Sequence, residues 1–471
     1  MLFGSIDYAI FLVLVFIVYW FFLKKNTKAQ NIFLLIVSYI FYGWWDWRFL
    51  FLLVLSTCID YFFGLIVYKA KKRKKLYLTL SILNNLLVLG FFKYYNFFID
   101  SLHAAFLKIG FDFNPPLLQI LLPVGISFYT FHGMSYVFDI YRDKTVPTKK
   151  FVDYSVFVCF FPLLVAGPIE RATHLLPQVK KRRKFNYENA KAGLKQILWG
   201  LFKKIVIADT CAIYVNEVFS NYHILPSSIL IIGAIYFAFQ IYGDFSGYSD
   251  IALGSARLLG FELLINFKYP YFSRDVPEFW RRWHISLSSW FRDYLYIPLG
   301  GSKGGTFQKI RNVFMIFVVS GFWHGANWTF IVWGALHAIY YLPSMLFHTN
   351  RKHLNNLKLI PSFSDIIRIL ITFTLTTFAW IFFRSLTVSD AFSYIGDIFS
   401  FKSGSIPVNY FGIIPFIILM LLVDWFGKDY DFPLREIKGP KILRFTLYFI
   451  LFYCILAYIT TSASSFIYFQ F

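Results

Sequence analysis

Two motifs decide how this 471-residue chain is interpreted: FWRRWHISLSSWFRDYLYIPLGG, residues Phe279–Gly301, and SGFWHGANW, residues Ser320–Trp328. Each contains one histidine, His284 in the first motif and His324 in the second. Apolar segments flank both motifs, and an ionisable side chain is costly to keep at membrane depth. Ionisable residues in such places are usually functional, so the two histidines are the strongest indication of what the protein does.

The composition around these motifs is that of a polytopic membrane protein. Hydrophobic residues make up 58% of the chain and charged residues only 15%, against the roughly 25% charged that is typical of soluble domains. Such a chain cannot cover itself with polar surface in water. We therefore predict an all-α fold, a polytopic transmembrane helical bundle. The four cysteines, Cys58, Cys159, Cys211 and Cys454, form no CxxC pair, so neither a metal site nor a disulfide framework is predicted.

The basic residues of the chain predict its orientation. The formal net charge is +21, from 46 Lys and Arg against 25 Asp and Glu. A soluble protein with this excess would suggest nucleic-acid binding, whereas in a membrane protein basic residues collect in cytoplasmic loops. Basic loops follow the first, third and fifth apolar runs, and the intervening loops carry little positive charge, which predicts an N-terminus outside. Anionic lipid and a phosphorylated cofactor are the remaining explanations for the charge.

The apolar runs predict about 11 to 13 membrane segments in a single domain, 1–471. We distinguish N-terminal helices within 1–150, a core of about 151–347 that carries both histidines, and C-terminal helices within 366–471. Several runs are shorter than the roughly 20 residues that span a bilayer, which predicts tilted, re-entrant or buried helices. The fifth run is Leu117–Ile140. The stretch Phe245–Gly305 mixes charge with Trp, Tyr and Pro, which predicts short helices and loops that line a cavity or lie in the membrane interface.

His324 is the stronger candidate for chemistry. It lies in the sequence Phe-Trp-His-Gly at the edge of an apolar run, and Gly325 and Ala326 are small enough to let a substrate or another backbone approach its ring. A neutral imidazole in an apolar site can take a proton from a hydroxyl. The alternative is a core histidine that is bonded to a backbone carbonyl.

The motif around His284 is more basic. Its histidine could orient a substrate carbonyl or bond the other histidine, or it could lie in an interfacial aromatic belt. Arg281, Arg282 and Arg292 could pair with phosphates through bidentate geometry, or extend to lipid headgroups. Lys303 lies in the glycine loop GGSKGG that follows the motif, and this loop lacks the GxxxxGK[ST] pattern of nucleotide hydrolysis.

Three further ionisable residues are assigned structural roles. Asp244 and Asp250 end a membrane run and are about 240° apart around a helix, which disfavours a paired-carboxylate site. A structural or capping role is favoured for at least one of them. His337 is about 220° from His324 on a continuous helix, so we predict that it packs rather than faces the same cavity.

At these motifs the chain resembles the membrane-bound O-acyltransferase (MBOAT) family, in its AlgI-like branch of bacterial polysaccharide O-acetylation proteins. The resemblance covers nearly the whole chain, and together its motifs are highly specific. The matching stretches are FYGWWDWRFL (Phe41–Leu50), PVGISFYTFHGMSYVFDIYR (Pro123–Arg142), QIYGDFSGYSDIALGSARLLGF (Gln240–Phe261), PEFWRRWHISLSSWFRDYLYIPLGG (Pro277–Gly301), SGFWHGANWTFIVWGALH (Ser320–His337) and FAWIFFRSLTVSDAF (Phe378–Phe392).

The resemblance implies an enzyme, an O-acyltransferase, with His324 as catalytic histidine and His284 as second active-site residue. It also implies a ring of membrane helices in a bacterial cytoplasmic (inner) membrane, with a cytoplasmic funnel for the acyl thioester. The implied donor is acetyl-CoA, a substrate rather than a permanently bound cofactor. Its phosphates would lie near basic residues, for which the candidates are Arg281, Arg282, Arg292 and Lys303. His324 would act as general base, and His284 or a backbone donor would stabilise the oxyanion.

The implied acceptor is an exopolysaccharide such as alginate, modified directly or by relay to an extracytoplasmic SGNH-type acetyltransferase. Membrane lipids are further expected partners, and nucleic acid is not. Transfer of D-alanine to teichoic acid by a DltB-like protein is an alternative, although such chains lack the long extension that follows Arg384 here. A membrane transporter with a histidine proton relay is an alternative of another class, which the lack of an internal repeat disfavours.

Overall fold

A backbone in lipid must satisfy its own polar groups within each segment, and helices do so. In the computed structural model, which describes residues 1–112, 115–165, 167–354, 357–459 and 466–467, those residues form twenty α-helices and no β-strand. The helices are α1 Ile6–Ile17, α2 Thr27–Gly43, α3 Arg48–Lys69, α4 Lys74–Leu89, α5 Tyr95–Lys108, α6 Ile126–Tyr141, α7 Phe151–Cys159, α8 Phe161–Leu164, α9 Ala172–Lys180, α10 Tyr187–Leu201, α11 Asp209–Ser220, α12 Ser227–Leu258, α13 Val276–Arg282, α14 Ile285–Phe291, α15 Thr306–His324, α16 Trp328–Leu346, α17 Phe363–Arg384, α18 Val388–Phe399, α19 Ile414–Gly427 and α20 Lys441–Tyr458. The predicted all-α membrane architecture is confirmed.

Among the described residues, seven helical segments are long and apolar enough to cross a membrane. They are Arg48–Lys69, Lys74–Lys108, Ser227–Leu258, Trp328–Leu346, Phe363–Arg384, Val408–Gly427 and Lys441–Tyr458. Other apolar helices are shorter, so the count of 11 to 13 membrane segments stays a prediction, as does the division into one domain. Part of the predicted C-terminal range, residues 460–465 and 468–471, lies outside the described residues.

In the described parts of the chain, four π-helical turns interrupt the helices, at Val18–Phe22, Gly90–Tyr94, Phe202–Ala208 and Arg292–Tyr296. The second joins α4 to α5, and the third joins α10 to α11. Such wide turns rotate the side chains that follow them and frequently occur at functional sites. The turn Gly90–Tyr94 carries Lys93, the only lysine between Lys75 and Lys108.

The central element is α12, whose 32 residues are mostly buried among other helices. It packs closely along α10 because glycines face each other across the contact. A Cβ atom added at Gly200 would lie 2.6 Å from the carbonyl oxygen of Gly247, and one added at Gly193 would lie 2.7 Å from that of Gly254. Only glycine allows this approach of two backbones.

Buried ion pairs join α12 to the π turn Phe202–Ala208. Lys203 Nζ lies 2.6 Å from Asp250, and Lys204 Nζ lies 2.7 Å from both Asp244 and Asp209. These lysines are almost completely buried, and a buried charge requires a partner. The structural role predicted for the aspartates agrees with these contacts.

Two sequence-based boundaries are wrong. Phe245–Leu258 is not part of a loop region but continues α12, because its one acidic residue, Asp250, is neutralised by Lys203 of the neighbouring segment. The short helices α13 and α14 do follow within Phe245–Gly305, as predicted. The fifth apolar run does not form one helix from Leu117, since α6 begins only at Ile126, after Pro123 and the left-handed Gly125 (φ 72°).

Candidate active site

The site is built around the hairpin of α15 and α16, which places His324 at the last position of α15. Two glycines let the helices touch. A Cβ atom at Gly321 would lie 2.1 Å from the carbonyl oxygen of Phe330, and one at Gly334 would lie 2.3 Å from that of Phe317. Both obstacles are backbone atoms, so any larger residue would separate the two helices. The glycines therefore fix where His324 stands relative to α16.

The end of α15 is held from outside by the π turn Gly90–Tyr94. Lys93 Nζ donates hydrogen bonds to the carbonyl oxygens of Trp323 (2.8 Å) and His324 (3.0 Å). The hydroxyl of Tyr94 donates to the carbonyl of Phe322 (3.2 Å). The last carbonyls of a helix lack intrahelical partners, and a cation also complements the helix dipole there. Lys93 thus caps the helix that carries His324.

The ring of His324 is buried, with 2% of the residue exposed. It meets the rings of Trp333 and Phe383 edge-on, with centroids 5.2 and 5.6 Å away. The following residue, Gly325, must be glycine for steric reasons, because a Cβ atom there would lie 2.0 Å from the ring of Phe330. The aromatic walls hold the imidazole in one orientation.

His284 lies in the bend between α13 and α14 with a left-handed backbone, φ 42° and ψ 54°. Residues other than glycine rarely adopt this conformation, which costs of order 1–3 kcal/mol and persists where neighbouring contacts enforce it. The contacts are visible here. Lys268 N donates to the carbonyl of Arg282 (2.9 Å), and Ile285 N donates to that of Asn266 (2.9 Å). Such strain is concentrated at functional sites.

The structure brings the two predicted histidines together. The ring centroids of His284 and His324 are 6.0 Å apart, although 40 residues separate them in the sequence. His284 is fully buried and stands edge-on to Phe245, at 4.6 Å. Neither of its ring nitrogens has a hydrogen-bond partner among the described residues. A buried polar group without a partner is costly, which is typical of groups that await a ligand.

A cleft leads to His324. It encloses about 550 Å³, including the space at its open mouth. Its walls come from the α2–α3 loop, the π turn that carries Lys93, residues 122–128 at the start of α6, and the end of α15. His324 and Lys93 are its ionisable lining residues among those described. A small molecule could therefore reach the buried imidazole from this side.

The four basic residues predicted to hold phosphates differ in their surroundings. Arg281 donates to the carbonyls of Asn350 and His353 (2.8 and 3.1 Å). Arg282 donates to Glu278 (2.8 Å) and to the carbonyl of Lys268 (3.2 Å). These two guanidinium groups are already hydrogen-bonded within the protein.

The other two basic residues are more accessible. Arg292 is largely exposed and pairs with Asp293 (2.9 Å), while Lys303 lies in the exposed glycine loop. A role for any of the four in cofactor binding stays a prediction.

His337 is placed as predicted, in packing. Its Nδ1 accepts a hydrogen bond from Trp280 Nε1 (3.2 Å), and its ring stacks parallel to that of Phe279. Trp333 contacts the rings of both His337 and His324, at 5.0 and 5.2 Å. His337 therefore supports the aromatic wall of the site from behind.

Lys93 and the ring partners of the histidines escaped the sequence analysis. A signal for Lys93 existed, because a single lysine within an apolar segment is expensive and usually functional. The aromatic partners Phe245, Trp333 and Phe383 offered no such signal in a chain with 60 Phe, 32 Tyr and 13 Trp. Only the fold selects which of these rings face the site.

Comparisons with known proteins identify relatives of this chain. The profile of MBOAT, the membrane-bound O-acyltransferase family, matches residues 7–385. A probable alginate O-acetylase (AlgI) of Pseudomonas syringae is 41% identical over 381 residues, covering 80% of this chain and 71% of that protein. A peptidoglycan O-acetyltransferase of Helicobacter pylori is 35% identical, covering 78% and 73%. A teichoic acid D-alanyltransferase of Streptococcus thermophilus is 31% identical over a shorter region, covering 46% and 55%.

Proposed function

Since this chain belongs to the membrane-bound O-acyltransferase family, we propose that it moves acetyl groups across a bacterial cytoplasmic membrane for O-acetylation of an exopolysaccharide such as alginate. The observation that carries the proposal is the pair of buried imidazoles, His284 and His324, whose ring centroids are 6.0 Å apart, with His324 lining an open cleft. The same motifs resemble the family's catalytic residues. The family therefore gives the enzyme class. The acyl donor, the acceptor and the roles of the residues are our proposals.

His324 is proposed as the general base. One of its ring nitrogens takes the proton of an acceptor hydroxyl while the hydroxyl oxygen attacks the thioester carbonyl carbon. The tetrahedral intermediate then collapses, the carbon–sulfur bond breaks, and the thiolate takes the proton to leave as a free thiol. The acetyl ester and the thiol are the products. The aromatic wall of Trp333 and Phe383 keeps water from the imidazole and holds the ring in one orientation.

His284 is proposed to stabilise the charge that develops on the carbonyl oxygen. Its ring nitrogens are free of protein partners among the described residues, so one can donate a hydrogen bond to an oxyanion. A separation of 6.0 Å between ring centroids lets one small acyl group reach a nitrogen of each ring at about 3 Å. An acetyl group fits this requirement.

The proposed donor is acetyl-CoA, which would approach from the cytoplasmic side. The distribution of basic loops supports this orientation, with the N-terminus outside. Arg281, Arg282, Arg292 and Lys303 are the candidates for contact with the phosphates, of which Arg292 and Lys303 are the more accessible. Arg281 and Arg282 would have to exchange protein partners for phosphate oxygens.

The proposed acceptor is reached on the opposite side. A named relative acts on alginate and another on peptidoglycan, which supports a polysaccharide as final acceptor. The cleft next to Lys93 could admit either a sugar hydroxyl or the hydroxyl of an extracytoplasmic SGNH-type transferase that relays the acetyl group. We favour the relay, because the reactive imidazole is buried and a polymer is bulky.

The alternative acyl group is D-alanine, transferred to teichoic acid. Teichoic acid D-alanyltransferases match only about half of this chain, whereas the alginate and peptidoglycan acetylation proteins match about four fifths. Acetyl transfer is therefore the better-supported proposal.

The test is acetylation by the His324→Ala variant. We expect the extracellular polymer of cells with this variant to lose its acetyl esters, measured by mass spectrometry, while the purified variant keeps the wild-type elution profile and melting temperature. His103→Ala, which removes a histidine from α5 outside the site, serves as the matched control. Full acetylation in a folded His324→Ala variant would overturn the proposal. Proteoliposomes supplied with labelled acetyl-CoA or D-alanyl carrier protein distinguish the two donors.

A further inference from the structure

A large apolar groove lies on the outside of the bundle, between α1, α10 and α20. It encloses about 1550 Å³, including the space that opens to the surroundings. Its walls are formed by Leu12, Val13 and Phe16 of α1, Leu194 of α10, and Phe445 and Tyr448 of α20. It shares no lining residue with the cleft at His324. The groove is therefore a second site, separate from the proposed chemistry.

The groove exists because the start of α20 packs less closely against the bundle than its C-terminal half does. Leu451, Cys454 and Ile455 of that half are buried, whereas Ile442 and Phe445 near its start are 76% and 69% exposed. The first turns of α20 thus stand away from α10 and leave the gap. An apolar gap of this size in a membrane protein requires an apolar occupant, since an empty one forfeits the contacts of its walls.

One end of the groove is strongly basic. Lys191 and Lys195 from the start of α10 and Lys441 and Arg444 from the first turn of α20 line it, and no acidic residue lies among its described lining. Both helices begin at this end, so it is the end at the membrane surface. Lys195 donates to a backbone carbonyl (3.3 Å), and Lys191 is 3.5 Å from the exposed Glu188.

The basic side chains of α20 have fewer partners within the protein than Lys191 and Lys195. Within the part of the chain that the structure describes, no hydrogen bond or ion pair is recorded for the side chain of Lys441 or Arg444. The groove therefore has two cations without counter-ions at one end of its apolar walls. This arrangement is complementary to a lipid that has an anionic headgroup and apolar acyl chains. The acyl chains of a lipid complement the walls, and its phosphate complements the cations.

We propose that this groove binds an anionic phospholipid, with an acyl chain between α1 and α20 and the phosphodiester at Lys191, Lys195, Lys441 and Arg444. The lipid then supplies the contact that α20 lacks at its start. A zwitterionic lipid fills the same walls but offers no net negative charge to the four basic residues. The site is therefore selective for the headgroup charge. The proposal stands independently of the acetyl-transfer reaction.

The experiment is native mass spectrometry of the purified full chain, titrated with phosphatidylglycerol or with phosphatidylcholine. We expect the wild type to retain phosphatidylglycerol in preference to phosphatidylcholine. The double variant Lys441→Gln/Arg444→Gln should bind it about 25-fold more weakly, about fivefold for each charge removed, because a basic residue at an anionic lipid surface is worth about 1 kcal/mol. Its affinity for phosphatidylcholine should remain that of the wild type.

Two further variants complete the test. Lys71→Gln/Lys72→Gln removes the same charge from the exposed loop after α3, and it should leave binding unchanged. Leu194→Trp places an indole in the groove and should reduce the binding of both lipids while the basic residues remain. Equal retention of the two lipids by the wild type would overturn the proposal. So would unchanged phosphatidylglycerol binding in Lys441→Gln/Arg444→Gln, or the same loss in the Lys71→Gln/Lys72→Gln control.

Discussion

Replacing Gly321 by alanine tests whether the α15–α16 contact sets the position of His324. The new Cβ atom would lie 2.1 Å from the carbonyl oxygen of Phe330 and 3.4 Å from Cα of Gly334. Because the oxygen belongs to the backbone, restoring an ordinary contact of 3.4 Å requires the helices to separate locally by about 1.3 Å. Gly321 is one turn before His324, so this displacement reaches the imidazole.

The expected effect on activity is large and the effect on stability small. A misplacement of about 1 Å at a reacting group can cost about 100-fold in rate, so we expect a loss of that order in acetyl transfer. Overpacking lowers the free energy of unfolding by about 1–3 kcal/mol. The higher helix propensity of alanine offsets about 1 kcal/mol of this loss. The free energy of unfolding should therefore fall by no more than about 2 kcal/mol.

The assay is transfer from labelled acetyl-CoA in proteoliposomes with equal amounts of reconstituted protein, together with the melting temperature. The control is Gly396→Ala in α18, where an added Cβ atom meets nothing within 4 Å. This variant should keep wild-type transfer and melt no earlier. A Gly321→Ala protein that transfers within about threefold of the wild type would refute the reasoning, as would an equal loss in Gly396→Ala.

Three further predictions follow from single contacts. Lys93→Met should lower both the melting temperature and acetyl transfer, because it removes two hydrogen bonds, each worth about 0.5–1.5 kcal/mol, from the end of α15. A Lys93→Met protein as stable and active as the wild type would contradict this role. His284→Val should lower the melting temperature more than His284→Asn, because asparagine tolerates a left-handed backbone and a β-branched residue does not; equal melting temperatures would exclude backbone strain at this position. The hydrogen bond that His174 Nδ1 donates to the Glu170 carboxylate raises the pKa of His174 above its ordinary value near 6.5. The stabilisation is therefore complete below pH 6.5 and is lost as pH rises through the raised pKa. The difference in melting temperature between wild type and His174→Gln should accordingly be larger at pH 5.5 than at pH 8.5, and a difference independent of pH would contradict it.

The sequence identified the two histidines but not the scaffold that joins them. Both stood out because charged groups in apolar surroundings are expensive, and this local signal sufficed. The left-handed backbone of His284 was not predictable, because the hydrogen bonds that enforce it involve Asn266 and Lys268, which lie outside the motif. Proximity across 40 residues is a property of the fold.

The same reasoning explains the errors. The helix α12 was predicted to end early because Asp244 and Asp250 look like residues of a water-exposed end. Their partners, Lys203 and Lys204, are about 40 residues earlier in the chain, and nothing in the local pattern connects them. The guanidinium of Arg281 is likewise engaged by a loop about 70 residues away. Local sequence predicts which residues carry charge, but not which charges already have partners.

The buried ion pairs of α12 also constrain how the protein is made. Insertion of a lone charged residue at the centre of a membrane helix costs about 2.5–3.5 kcal/mol on translocon scales. The segment that carries Lys203, Lys204 and Asp209 holds three charges, of which Asp209 pairs with Lys204, and the segment that carries Asp244 and Asp250 holds two. Each segment therefore has an unneutralised charge, and neither is favoured to enter lipid alone. The charges of the two segments neutralise one another once both segments are present. We therefore expect α10, α11 and α12 to leave the translocon as one unit, with the earlier segment retained during synthesis until α12 has emerged.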